Sequence, residues 1–532
     1  MKKFVTGLID FNWFFVSLLI FAAVLPLSEG LVSIAAAIVL IVAAIEDNWK
    51  NKWNRVTKRK VILLIPLIFL LYLISTLLTL KQDKSFYDLQ KTLFYLVFPL
   101  AFSLAKEINA RQKRFVFYVF GVSILVAIIT AMWQWKFGNT EEGAFTVHNI
   151  SLISHIRFSF QLILILWFFI FLLQKNSKQL PTIVKFALLL LIFTYLGYLM
   201  FQQSLTGVIA LGGSIIVFLV YLVTRVKAEW QVPMVVVLLL LLFVPMIYVK
   251  KAVNNFYAIE KINPEEIERT TQEGNQYWHN FDNPLVENGH YVYLYVCEDE
   301  MREAWNKVSE FKYDSIGVNG YPVSSTLIRY LTSKGLRKDA VGVASLTTAD
   351  RANIENGIAN VVYTRKFSLY PRIYQTLWEY YVYTETGNSN NQSFSQRIEY
   401  ARAALTIIKQ NWLTGVGTGN WKTAFANAFK ANNAQLDQDR YASSHNQYLN
   451  YMVKFGIPGF ILIMFLLIFP IIKTRRYKDP FFLLFLVFML LANFADSNLE
   501  SHMGSSFFFF FYCLYITTDG IQYLEIGKSG KE

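Results

Sequence analysis

Cysteine is nearly absent: Cys297 and Cys513 are the two in 532 residues, and no Cys-x-x-Cys pair occurs. That excludes a disulfide scaffold and a metal site built on sulfur, and Cys513, inside an apolar run, is expected to stay unpaired. Charge is scarce too. Charged residues make up 16% of the chain, where a soluble protein carries about 25%. No repeat at a fixed period, phosphate-cradling loop, dinucleotide fingerprint or metal-carboxylate motif is evident. What is abundant is apolar sequence. Hydrophobic residues reach 54% and aromatic residues 17%, in long uninterrupted runs. This excludes disordered and collagenous classes and marks an integral membrane protein.

About 20 apolar residues cross a bilayer core. The runs predict about twelve spans, near 11–28, 31–46, 61–80, 92–106, 115–135, 158–174, 182–201, 207–223, 232–249, 446–472, 480–495 and 504–518. The fold expected is therefore an all-α polytopic membrane protein. Three parts are expected: a membrane domain over 1–249, a large loop domain over 250–445, and a second membrane domain with a short tail over 446–532.

The net charge of +13 would suit nucleic acid, but its position argues otherwise. Basic residues gather in alternate connections: Lys2 and Lys3; Lys50 to Lys60; Lys106 to Arg114; Lys175 and Lys178; Arg225 and Lys227; Lys473 to Lys478. That alternation is a topology signal, with both termini cytoplasmic and the loop at 250–445 outside. No nucleic-acid partner is expected. The apolar run after Met1-Lys2-Lys3 lacks a small-x-small cleavage site and reads as a signal anchor.

The loop is too long for a connector and is expected to be functional. Ser393-Phe-Ser-Gln396 can open a helix as a capping box, Ile398, Ala401, Leu405, Ile408 and Trp412 continue it at helical spacing, and Gly415 to Asn420 stops it. The stretch 262–344 yields only short alternating segments such as Tyr291 to Val296.

Three polar clusters stand out. Arg157 abuts the run that starts at Phe158. It either snorkels to headgroups or faces an internal cavity as an anion site. His148 and His155, seven apart, could form a metal pair, but no carboxylate constellation accompanies them. Arg397 lies in the first turn of the amphipathic helix, where the dipole disfavours a cation unless an anion is bound; a solvated helix face is the alternative. Finally, His445-Asn446-Gln447 stands at the mouth of a span that Gly456, Pro458 and Gly459 interrupt. Such breaks are tolerated where backbone lines a cavity or packs on protein.

His445-Asn446, nine residues, then Gly456-Ile-Pro-Gly459 resembles the His-[Asn/Ser/Gln]-x9-Gly-x-x-Gly signature of the O-antigen ligase and O-antigen polymerase superfamily. Ser395 to Tyr400 and Trp412 to Asn420 are similar to that family's Arg-bearing helix and Gly-rich turn, and Asn498 to Gly504 resembles its Glu-containing turn. The specific motifs cover 395–505. One departure is that Ser204-Leu-Thr-Gly207 lacks the arginine of the family's Ser-Arg-x-Gly.

The resemblance implies a fold of the GT-C glycosyltransferase type in the bacterial inner membrane. It implies transfer of a preassembled glycan from undecaprenyl diphosphate to an acceptor hydroxyl, lipid A–core for a ligase. A polymerase, with a second lipid-linked glycan as acceptor, and a protein O-oligosaccharyltransferase share the signature. In this reading His445 is the catalytic base, Arg157 and Arg397 bind the donor diphosphate, and Asn446, Glu500, Gly456 and Gly459 support them, Glu500 by orienting Arg or His. Inverting transfer with no metal and no cofactor is expected. A flippase or transporter, the rival from another class, would need paired broken helices in two related halves. The sequence offers one clear break, at Gly456 to Gly459.

Overall fold

The computed structural model describes residues 12–79, 85–137, 151–202, 204–365 and 368–518. His148, Lys2 and Lys3 lie outside the described residues. Helices dominate. In chain order they are α1 (Trp13–Val24), α2 (Glu29–Ile45), α3 (Trp49–Lys58), α4 (Pro66–Leu78), α5 (Ser85–Lys91), α6 (Phe94–Leu104), α7 (Ala110–Phe137), α8 (His155–Asn176), α9 (Thr182–Phe201), α10 (Leu205–Val223) and α11 (Ala228–Phe256). After a two-stranded hairpin, β1 (Val286–Glu287) and β2 (His290–Tyr291), follow α12 (Glu298–Val308), α13 (Val323–Ser333), α14 (Ala340–Ala344), α15 (Thr348–Glu355), α16 (Tyr370–Thr386), α17 (Ser393–Gln410), α18 (Trp421–Ala431), α19 (Gln447–Lys473), α20 (Pro480–Ala495) and α21 (His502–Thr517).

Each of the twelve apolar runs contains a helix among the described residues. Among the described residues seven helices are long and apolar enough to cross a bilayer: Lys60–Leu78, which begins as a 3₁₀ turn ahead of α4, then α7 to α11 and α19. An eighth is added if α2 and α3, bent by 112°, count as one broken span. The chain is a polytopic membrane protein. Helices α1 and α20 are apolar but shorter. The fourth run yields α6, only 11 residues long with Pro99 inside it.

The described residues fall into two compact units. Residues up to Phe137, those within Val147–Val235 and those from Gln396 onward make the first; Val236–Ser395 supplies the second. This division differs from the expected boundaries at 249 and 445. Residues 396–445 belong with the membrane helices because α17 and α18 bury Tyr400, Ala403, Ile407 and Phe429 in one cluster with Val453 of α19.

Helix α21 is the axis of the first unit. Every residue from Met503 to Ile516 is buried, as a helix apolar on all faces requires. Its Phe507-to-Phe511 run meets Phe21, Phe98, Phe117, Phe120 and Phe485 in edge-on, tilted or stacked ring contacts. Glycine allows close helix approach elsewhere: a Cβ on Gly213 of α10 would strike Leu491 of α20. By contrast, the apolar window of α11 has no buried residue, as lipid contact demands.

In the second unit, Asn288 and Gly289 have φ of 50° and 87°, the two positive values of a tight hairpin turn between β1 and β2. Helices α12 to α15 bury Trp305, Leu327, Tyr330 and Leu331 around it. Glu287, fully buried, pairs with Arg329 at 2.6 Å and accepts from Asn360 at 2.5 Å and Tyr374 at 3.1 Å. A buried carboxylate persists only with such partners.

Candidate functional site

The site grows from the start of α19. Asn446 caps the helix, its Oδ1 accepting from Tyr448 N–H at 2.9 Å and Leu449 N–H at 3.1 Å, while its Nδ2 donates to the Phe494 carbonyl at 3.0 Å. Immediately before the cap, His445 takes a left-handed conformation, φ 49°. Non-glycine residues adopt this region seldom, and such departures concentrate at functional sites. The backbone turn leaves the imidazole 40% exposed.

Helix α20 ends at Ala495, and Asp496 leaves it in extended conformation. Its Oδ1 lies 3.4 Å from His445 Nδ1, and its Oδ2 lies 3.4 Å from an Arg157 guanidinium nitrogen. Arg157 Nε donates to Ser501 Oγ at 3.0 Å; Ser501 also caps α21 by accepting from Gly504 N–H. Burial works to raise the Asp496 carboxyl, but the hydrogen bond to His445 and the Arg157 charge outweigh it and hold it below the usual carboxylate range. Arg157 occupies the first turn of α8, where the helix dipole opposes a cation, so Asp496 supplies the compensating anion.

Tyr400 of α17 covers the other side of the imidazole, with ring centroids 5.5 Å apart. Its hydroxyl donates to the Arg440 carbonyl at 2.8 Å. Burial pushes the phenol above its ordinary range, against the pull of Arg440 and Arg397. Arg397, half-buried one turn earlier, is felt by Tyr400 but makes no ion pair or hydrogen bond among the described residues. Ser393 is the first residue of α17, and at this end the Glu379 carboxylate of α16 accepts from Phe394 N–H at 2.6 Å.

Glycines make the break in α19. Gly456 has φ 69° and ψ 179°, and Ile457 N–H donates to the Trp412 carbonyl at 2.7 Å instead of continuing the helix. Opposite, Val416 and Gly417 N–H groups donate to the Val453 and Lys454 carbonyls at 2.8 and 2.9 Å. The turn at 415–419 therefore docks backbone to backbone on the broken span, where a Cβ on Gly415 or Gly456 would collide with main chain. Gly459, one turn on, faces Phe455 Cβ just as closely. Helix α17 ends at Gln410, ahead of this turn.

The structure brings Arg157 and His445 to one carboxylate, and brings Arg397 to the tyrosine beside His445. Glu500 is used differently from the expectation. It pairs with Lys454 at 2.7 Å and accepts from Tyr72 and Asn450, whereas Asp496 engages His445 and Arg157. Sequence reasoning missed Asp496. Its signal was an acid directly after a charge-free apolar run, a position where an ionisable group is functional by default. His155 opens α8, and Ser204 caps α10 by accepting from Gly207 N–H at 3.3 Å. Among the described residues no three His, Cys, Asp or Glu side chains gather as a metal site would require.

The arrangement can bind an anion with arginine and take a proton with histidine. No curated protein matches the chain. Residues 343–464 match the family model described as O-Antigen ligase, a segment that contains Arg397, His445, Asn446, Gly456 and Gly459. The match supports ligase- or polymerase-type activity on lipid-linked glycan and acceptor substrates in general. With the motifs it encloses, it supports placing this chain in the O-antigen ligase superfamily.

Proposed function

We propose that the protein is an O-antigen ligase, transferring a preassembled glycan from undecaprenyl diphosphate to a hydroxyl of lipid A–core on the periplasmic side of the inner membrane. The single observation that carries this reading is the Asp496 carboxylate between His445 and Arg157. Outside the cytoplasm no nucleotide sugar is at hand, so the donor arrives activated on a lipid. Transfer then needs an anion clamp and a base side by side.

In this mechanism His445 removes the acceptor hydroxyl proton as its oxygen attacks the anomeric carbon. The bond from that carbon to the diphosphate oxygen breaks, and undecaprenyl diphosphate leaves with the electron pair. A single displacement inverts the anomeric centre. Histidine is the side chain type best suited to proton removal near neutrality. Asp496 holds the imidazole through Nδ1 and offsets the charge it gains. Arg157 and Arg397 bind the diphosphate and stabilise the charge that develops on it, typically the largest electrostatic contribution. Arg397, free of protein anions among the described residues, is available for this. The reading includes no metal and no cofactor. It carries with it a GT-C-type fold of about twelve spans, both termini cytoplasmic, and a periplasmic loop at 250–445.

The test is transfer by the purified protein from an undecaprenyl-diphosphate glycan, with lipid A–core in one tube and no acceptor in another. Product on lipid A–core supports the ligase. Longer carrier-linked chains without acceptor would make it a polymerase. No product in either tube, with labelled carrier crossing a reconstituted bilayer, would favour a transporter.

A further inference from the structure

Next to the His445 cluster, the first unit holds a cavity of about 130 Å³, lined chiefly by Tyr72, Asp88, Lys91, Trp421, Lys454 and Glu500. The mechanism above uses none of these for chemistry. Lys454 and Glu500 pair at 2.7 Å with side chains 8% and 11% exposed, and Tyr72 donates to the same carboxylate. Opposite them, Lys91 meets Asp88 at 3.3 Å, and Trp421 Nε1 donates to the other Asp88 oxygen at 3.2 Å. Asp88 also draws Lys422, at 3.9 Å, which is not a lining residue. A buried ion pair in a membrane protein is costly unless it serves a function.

We infer that this cavity is a subsite for one uncharged pyranose ring of the glycan substrates; the inference rests on the transfer reading. Three features select that ligand. The lining lysines and carboxylates balance, so the cavity exerts no net pull on a diphosphate and suits a neutral polyol. Its lining carries both donors and acceptors, and sugar hydroxyls both donate and accept. The Trp421 indole, half-buried and with the Lys454 and Lys422 ammonium groups each 5.3 Å from its ring centroid, is the aromatic group that the C–H side of the ring would meet.

Position ties the cavity to the reaction. Asn450 Nδ2 donates to Ser497 Oγ at 2.8 Å and to Glu500 at 3.2 Å, while its Oδ1 accepts from Ser444 Oγ at 2.6 Å. Ser444 precedes His445 and Ser497 follows Asp496, so one amide separates the sugar subsite from the base and its carboxylate. A ring held there fixes the substrate on that side of His445.

The test uses the full chain in detergent and saturation-transfer NMR with two probes: the glycan released from the lipid-linked donor, and delipidated core oligosaccharide. One of them should bind the wild type, and which one it is identifies the ring as donor or acceptor sugar. Trp421→Ala and Asp88→Asn, with melting temperatures unchanged, should each weaken that binding at least tenfold; Trp421→Phe should restore it, and Arg157→Ala should leave it intact. Binding of bare undecaprenyl diphosphate should show the opposite pattern, lost in Arg157→Ala and kept in Trp421→Ala. If neither oligosaccharide binds while the bare carrier does, or if binding ignores both Trp421 and Asp88, the subsite is overturned and the transfer reading stands. If the bare carrier does not bind, the transfer reading itself fails.

Discussion

His445 Nδ1 stands 3.4 Å from Asp496 Oδ1, across 51 residues of sequence and from the opposite end of a helical hairpin. The contact joins the residue before α19 to the residue after α20, so the hairpin's packing sets the imidazole's orientation. Asp496→Asn keeps the shape but loses the charge that would offset a protonated His445. We expect kcat to fall roughly 10²–10⁴-fold, the usual contribution of general-base catalysis. In a His445→Ala background the same substitution should cost little more, because the two act as a unit. A double-mutant cycle on transfer rates checks this; additive losses would separate Asp496 from the base.

Arg157 reaches Ser501 through Nε and Asp496 through a terminal nitrogen. A lysine cannot supply that fork. Arg157→Ala should lose roughly 2–4 kcal/mol of transition-state stabilisation, by analogy with removal of an oxyanion donor. Arg157→Lys should recover only a minor part. Values of kcat/KM for the three proteins, measured against the lipid-linked donor, decide it.

Gly456 is confined by backbone on both counts: its φ is 69°, and a Cβ would sit 2.5 Å from the Leu413 carbonyl oxygen. Gly456→Ala should cost about 1–3 kcal/mol from the dihedral alone, with the clash added. A lowered melting temperature in detergent and poor recovery from membranes are expected. Wild-type stability would mean the break in α19 tolerates a side chain.

Burial pushes the Lys338 ammonium in the second unit down to about 8, with the Arg337 charge adding to it. Between that value and the ordinary lysine range near 10.4, the unfolded chain holds a proton that the folded one does not, so this group's contribution to stability rises with pH. Lys338→Met removes the penalty. The melting-temperature difference, variant minus wild type, should therefore be largest near pH 7 and shrink toward pH 10. A difference independent of pH would show that Lys338 is not held in this way.

The polytopic membrane character was legible because apolar runs of span length carry their own signal, and seven helices among the described residues, or eight with the bent pair, are long and apolar enough to cross a bilayer. His445 and Arg157 could be picked out as polar groups at the edge of apolar sequence. Their meeting at Asp496 could not, since a contact between residues 339 apart leaves no spacing pattern. The Gly-rich turn read as a helix stop; its docking on Val453 and Lys454 depends on two backbones approaching, which composition does not record. Residues 262–344 resisted because side-chain networks such as Glu287 with Arg329, Asn360 and Tyr374 organise short turns there, rather than a periodic apolar face.

The most direct test of the account separates binding from chemistry in purified protein supplied with undecaprenyl-diphosphate glycan and acceptor. His445→Ala should bind the donor as the wild type does and transfer it roughly 10²–10⁴-fold more slowly, while Arg157→Ala should lose donor affinity as well. Transfer by His445→Ala at the wild-type rate would contradict the assignment of His445 as the base.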